Sequence, residues 1–167
     1  MKRRVTLRFK REGLLYEIAT MGFVEGDLQS EDEKTHDAHQ TQDIVEDGNV
    51  DRVTRMLDLA YTTCKERLYP YSKEDETGDI VMDDDFRETD TYEIVLTVPE
   101  TFAKMHAEHL KNLIHEYLIG AAVGDWLSVT KTKAAENWLA KAEASIEEAK
   151  ETMFVAGKTM ERPLSVF

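Results

Sequence analysis

Four of the five histidines come in pairs three residues apart, His36 with His39 and His106 with His109. On a helix that spacing puts two imidazoles on one face, where they can share a divalent metal. His115-Glu116 opens like the HExxH motif of metalloproteases, in which the glutamate acts on a zinc-bound water, but Ile119 stands where the second histidine is required. The triplet Asp83-Asp84-Asp85 lacks the Asp-x-Asp-x-Asp-Gly order and the distal glutamate of a calcium loop. Cys64, the single cysteine, falls on the apolar stripe of a helical pattern and reads as a small core residue rather than an activated thiolate. Ser128 and Ser145 have no glycine elbow, and Gly120 and Gly124 sit inside a helical pattern, where they point to close helix packing and not to a phosphate loop. Glu143, Glu147, Glu148 and Glu151 read as the solvated face of the last helix. The expectation is a non-enzymatic chain with no catalytic, cofactor or metal site, its histidines at the surface or on helix flanks.

The elements that would position these residues follow from periodicity. Val5, Leu7 and Phe9 alternate among six basic residues between Lys2 and Arg11, which predicts a strand with a basic outer face in which Arg3, Arg4 and Arg8 are candidate interaction residues. Leu14, Leu15, Ile18, Ala19 and Met21 predict a short helix after Gly13 that ends near Gly22. Between Glu25 and Asp47 nine acidic residues face one lysine, which predicts a long acidic loop. Asn49 is a candidate N-cap for a helix with the stripe Val53, Met56, Leu57, Ala60, Tyr61, Cys64 and Leu68, stopped by Pro70 and expected to be the central packing element. A second acidic loop over residues 74 to 90 leads into a strand in which Tyr92, Ile94, Leu96 and Val98 alternate with polar positions, so that it can pair with the first; Pro99 closes it and starts the next helix.

The last third predicts two amphipathic helices with a short break. Leu110, Leu113, Ile114, Tyr117, Leu118, Ala121, Ala122 and Leu127 form one buried stripe, and Trp138, Leu139, Ala142, Ile146, Ala149 and Met153 form the other. Trp126 and Trp138 flank the break and are expected to be core wedges that lock the helix pair. If its ring is buried, replacing Trp126 by Ala costs about 3 to 5 kcal/mol.

Composition bounds the role. A chain of 167 residues with 41% apolar residues is long enough for one domain with a real core. A net charge of -13 argues against autonomous nucleic-acid binding, because duplex affinity comes mainly from cations on phosphates. It favours instead a basic protein partner. One cysteine rules out an internal disulfide, and neither an apolar leader nor a run of eighteen apolar residues is present, so a soluble protein of a reducing compartment is expected, with no membrane contact.

The stretches VTLRFKREGLLYEIATMGFVEGD, EDGNVDRVTRMLDLAYTTCKERLYPY and IHEYLIGAAVGDWLSVTKTKAAENWLAKAEASIEE, with the closing Arg162-Pro-Leu-Ser-Val-Phe167, together resemble small Bacteroides-type prophage proteins across most of the chain. The closing helix pair, about residues 105 to 155, is in turn similar to phage head-tail connector (adaptor) proteins. That resemblance implies a ring-like homo-oligomer between the portal and other neck proteins, assembled in the cytoplasm and then carried in the virion. It also implies that the tail 158–167 inserts into a neighbouring protein, with Leu164 and Phe167 as apolar anchors and Lys158 and Arg162 as charge partners. The basic strand would meet an acidic loop of the adjacent subunit. Connectors begin with a helix, whereas here a strand comes first and a second precedes the helix pair. This departure leaves open a tail-completion or tail-terminator protein. Two further alternatives are a host-directed inhibitor whose acidic face mimics DNA and a small helical hydrolase using clustered carboxylates.

The expected fold is α+β and mainly helical, with three to four helices in a small bundle and a short antiparallel strand pair. Residues 1–157 form one domain carrying acidic loops at about 25–47 and 74–90, and residues 158–167 form an extended C-terminal tail. Deleting residues 158 to 167 is expected to leave the monomer folded, as read by circular dichroism and thermal melting, and to block assembly; an unfolded truncation would make the tail part of the core.

Overall fold

The computed structural model describes residues 2–27, 41–73, 79–86 and 88–157. The tail, and with it Lys158, Arg162, Leu164 and Phe167, lies outside the described residues, as do His36, His39 and the rest of residues 28–40 in the first acidic stretch and residues 74–78 and 87 in the second. The architecture is α+β and mainly helical. Strand β1 (Lys2–Lys10) runs directly into α1 (Arg11–Asp27), followed by a 3-10 turn (Asp43–Val45), α2 (Val50–Arg67), the single turn α3 (Tyr69–Ser72), β2 (Thr91–Pro99), α4 (Lys104–Thr130) and α5 (Thr132–Gly157). Among the described residues five helices, four long and one of a single turn, accompany a two-stranded antiparallel sheet, slightly more helices than the three to four expected.

The strands pair as their alternation requires. β1 and β2 are antiparallel, with Phe9 opposite Tyr92, Leu7 opposite Ile94 and Val5 opposite Leu96, so both apolar sets face inward together. Arg4 and Arg8 take the outer face, whereas Arg3 has the parity of Val5 and lies at the end of the inner row, opposite Val98.

Helix α1 differs from its expected bounds at both ends. It includes Gly13 and continues through Gly22 for more than another turn. The reason is tertiary: a methyl on Gly22 would stand 2.5 Å from Ile44 Cγ2 and 3.0 Å from the Thr41 carbonyl, so the bare backbone of α1 is the seat for the 3-10 turn. Thr41 and Ile44 are fully buried there. The described ends of the first acidic stretch are therefore helix and packed turn rather than loop. Burial of Ile44 contributes about 2 kcal/mol to holding them.

Helix α2 carries the expected stripe, with Val53, Met56, Leu57, Ala60 and Cys64 buried. Asn49 precedes it, but its side chain donates to the Asp43 carbonyl at 2.8 Å instead of capping the helix. Pro70 does not stop the chain from being helical. It sits in the first turn of α3, where a missing N–H costs nothing, and the axis redirects at Leu68. Nor does Pro99 start the next helix, because α4 begins only at Lys104 after a turn closed by Phe102 N–H on the Pro99 carbonyl at 3.0 Å.

The central element is α4, not α2. It packs against α5, α2, α1 and β1, and Tyr117, Leu118, Ile119, Gly120, Ala122, Val123 and Gly124 are buried almost without interruption. A helical stretch that is buried on nearly all sides belongs in the interior, and for residues 117–124 the single expected stripe understates the burial. The antiparallel partner α5 approaches closely because a methyl on Gly120 would lie 3.1 Å from Ala142 Cβ and one on Gly124 2.7 Å from the Leu139 side chain. Gly120→Val should destabilise the protein by about 1 to 3 kcal/mol through overpacking against Ala142 and the Trp138 carbonyl. Gly13→Ala, where nothing lies within 4 Å, should instead stabilise it by about 0.5 kcal/mol. Urea unfolding of both variants checks the pair, and equal effects would contradict the packed seam.

Candidate interaction surface

The break between α4 and α5 is one residue, Lys131, whose backbone N–H still reaches the Leu127 carbonyl at 2.7 Å. Its ammonium donates to the Glu25 carbonyl at 3.1 Å, and the Trp138 indole N–H donates to Glu25 Oε1 at 2.8 Å. Glu25 therefore clasps the end of α1 onto the corner of the helix pair. Trp138 is half-buried and acts as a tie to α1, a role its helical spacing did not show. Trp126 is also half-buried, against the core edge rather than wedged within it, and its indole N–H has no partner among the described residues.

Beside Trp126 a groove of about 370 Å³ runs between the last turn of α4 and the start of α2. Met56, Trp126 and Val129 make its apolar wall, and Thr130, Asn49, Arg52 and Asp43 its polar rim. Val129 is 88% exposed. The Thr130 hydroxyl, like the Trp126 N–H, lacks a hydrogen-bond partner among the described residues. The charged ends of Arg52 and Asp43 likewise have no ion-pair partner among them. The groove thus combines apolar surface with one cation and one anion at its rim, while the Trp126 N–H and the Thr130 hydroxyl are buried. Nothing in the local sequence pattern marked it, since its walls come from segments seventy residues apart.

The basic strand is partly committed within the chain. Arg3 Nη2 donates to the Phe102 carbonyl. Arg8 pairs with its cross-strand neighbour Glu93 at 2.7 Å, an exposed pair worth little to stability. Arg11 reaches Thr54 at 3.2 Å and Glu88 at 3.5 Å. Arg4 lies on the exposed outer face. The carboxylates on the wet face of α5 are bridges: Arg67 of α2 joins Glu143 at 2.9 Å and Glu147 at 2.8 Å, fastening α2 to α5.

The described histidines are dispersed. The His106 ring lies tilted against Phe102 with centroids 5.7 Å apart, His109 faces Glu148 at 3.2 Å across the helix pair, and His115 faces Glu17 of α1 at 3.0 Å. Among the described residues no group of three or more His, Cys, Asp or Glu side chains is arranged to hold a metal ion. Cys64 is buried in the core, and burial pushes its thiol from 9.0 up to about 12. Burial, and then donation to Asp58 at 2.7 Å, likewise raises the Tyr92 hydroxyl.

The largest apolar exposure is Ile80-Val81-Met82, at 82%, 79% and 87%, directly before the aspartate triplet. Arg55 anchors the end of this segment, 3.5 Å from Asp84 and 5.5 Å from the Phe86 ring centroid. Further apolar side chains stand out from α1 (Tyr16, Phe23) and from the end of α5 (Phe154, Val155). No described helix is long and apolar enough to cross a membrane. Comparison with protein families, curated proteins and solved structures finds no match.

Because Trp126 is half-buried, Trp126→Ala should cost about 2 kcal/mol in urea unfolding, less than a fully buried ring would. Cys64 gives a pH-dependent readout. Its folded-state pKa is raised, so its contribution to stability is full below pH 9 and is lost as pH rises toward 12. Iodoacetamide at pH 8 should accordingly label Cys64 slowly in the native protein and readily after unfolding; equal rates would place the thiol at the surface.

Proposed function

We propose that this chain is a non-enzymatic structural subunit of a phage particle, a head-tail connector or adaptor that forms a ring of its own copies between the portal and the tail. The observation that carries the reading is the distribution of exposed apolar side chains over different elements of the described residues. Ile80 to Met82, Val129, Tyr16 with Phe23, and Phe154 with Val155 lie on different elements. Exposed apolar surface of this kind marks contact sites for other proteins, and a ring subunit contacts a neighbour on each side as well as the parts above and below.

The helix pair supports the same role. A tightly seamed α4/α5 body, tied to α1 through Glu25 and to α2 through Arg67, gives a rigid block on which contact segments are mounted. The net charge of -13 suits a ring through which DNA moves without sticking. In this reading the protein collects in the cytoplasm during assembly and ends in the virion, with neck proteins as partners.

Quantitative mass spectrometry of purified particles tests it, by counting copies of this chain against the major capsid protein. A low, fixed ratio is expected. A ratio near that of the capsid or tail-tube protein would make the chain a decoration or tube subunit. Absence from particles, with the chain abundant in the lysate, would overturn the structural reading in favour of the host-directed acidic inhibitor.

A further inference from the structure

We propose that the groove between α2 and the end of α4 is the receptor for residues 158–167 of a second copy of this chain, so that copies join head to tail. The inference rests on the assembly reading above and adds the contact that would build the ring.

Chemistry matches the two surfaces. The groove offers an apolar wall of Met56, Trp126 and Val129, and the segment offers Leu164, Val166 and Phe167. The rim carries Arg52 and Asp43, each without an ion-pair partner among the described residues, and the segment carries Glu161 and Arg162, one charge of each sign in sequence. A docked segment presents backbone carbonyls at each step, and the exposed Arg52 guanidinium on the rim can donate to them. Proline beside an apolar residue also suits docking on an indole face.

Reach then decides between the same chain and another. α5 leaves the groove end of the molecule and runs antiparallel to α4, with Leu139 against Gly124. From Leu139 to Gly157 the helix rises about 27 Å, and Val129 lies a further turn and more along α4, about 35 Å from the level of Gly157. Leu164 is seven residues past Gly157 and extends at most about 25 Å from it. It cannot stand beside Val129 of its own chain. Phe167 covers about 35 Å only when every intervening residue is fully stretched, which leaves nothing to turn into the groove. A neighbouring copy has no such restriction. The groove and the C-terminal end of α5 lie at opposite ends of the helix pair, so the proposed contact is heterologous, and repeated it yields a closed ring or an open filament.

Disulfide trapping between full-length chains tests this. Val129→Cys and Leu164→Cys are made separately, one with an affinity tag; buried Cys64 stays in place. Mixed and oxidised with glutathione disulfide, they should give the Val129-Leu164 mixed disulfide in about tenfold excess over either symmetric product, because docking raises the local concentration of that pair alone. Arg52→Glu in the Val129→Cys chain should remove the excess. A statistical mixture of products would overturn the proposal. So would an intrachain disulfide in a Ser30→Cys/Val129→Cys chain that forms in place of the mixed product, since residues 28–40 would then hold the groove. Sedimentation of the wild-type and 158–167-deleted chains separates the two levels of the argument. A deleted chain that still assembles overturns the tail contact and leaves the assembly reading standing. A wild-type chain that stays monomeric at every concentration and is missing from particles overturns both.

Discussion

The close approach of α4 and α5 is the constraint on which the rest of the molecule depends. Gly120 and Gly124 remove the side chains that would hold the helices apart, and Ala142 and Leu139 fill the space. Only with α5 drawn in on one side can α4 be covered on its remaining faces by α2, α1 and β1. Helix α4 thereby becomes the axis of the core. Close packing of this kind is intolerant of added volume, which makes the seam sensitive to substitution at Gly120 and Gly124.

The other elements are attached to that axis by a few specific ties laid over general apolar burial. Gly22 seats Ile44, which turns the far end of an acidic stretch into core. Glu25 accepts from Trp138 and Lys131 and so fixes α1 at the helix-pair corner. Arg67 bridges two glutamates and fixes α2 to α5. The bridges are partly exposed and add modest energy; they orient elements whose cohesion comes from the apolar core. The groove beside Trp126 exists because these ties set the start of α2 next to the last turn of α4 without filling the space between them.

Much of the secondary structure was legible because it is written in local periods. Val5, Leu7 and Phe9, and Tyr92, Ile94, Leu96 and Val98, alternate at period two, and both strands and their pairing followed. The stripe from Val53 to Cys64 repeats at helical spacing, and α2 followed, as did the paired glycines as a packing seam. The candidate surface was legible only in parts. Arg3, Arg4 and Arg8 looked alike as basic residues of one strand, yet pairing parity sets Arg3 on the inner row and sends its guanidinium to a backbone carbonyl. Trp126 and Trp138 looked equivalent about the break, yet one ties down α1 and the other borders a groove.

What the sequence determined by itself is therefore both strands and the long helices, the main inward stripe of each and their order along the chain, since these depend on interactions between residues a few positions apart. What only the tertiary structure decided is which helix is central, how far α1 extends, what Glu25 and Arg67 hold, and that Met56 and Trp126 share a groove. Each of these is set by contact between residues forty to more than a hundred positions apart, or by backbone that comes close only because a side chain is missing. Residue type and local spacing carry no record of a neighbour that folding alone brings near.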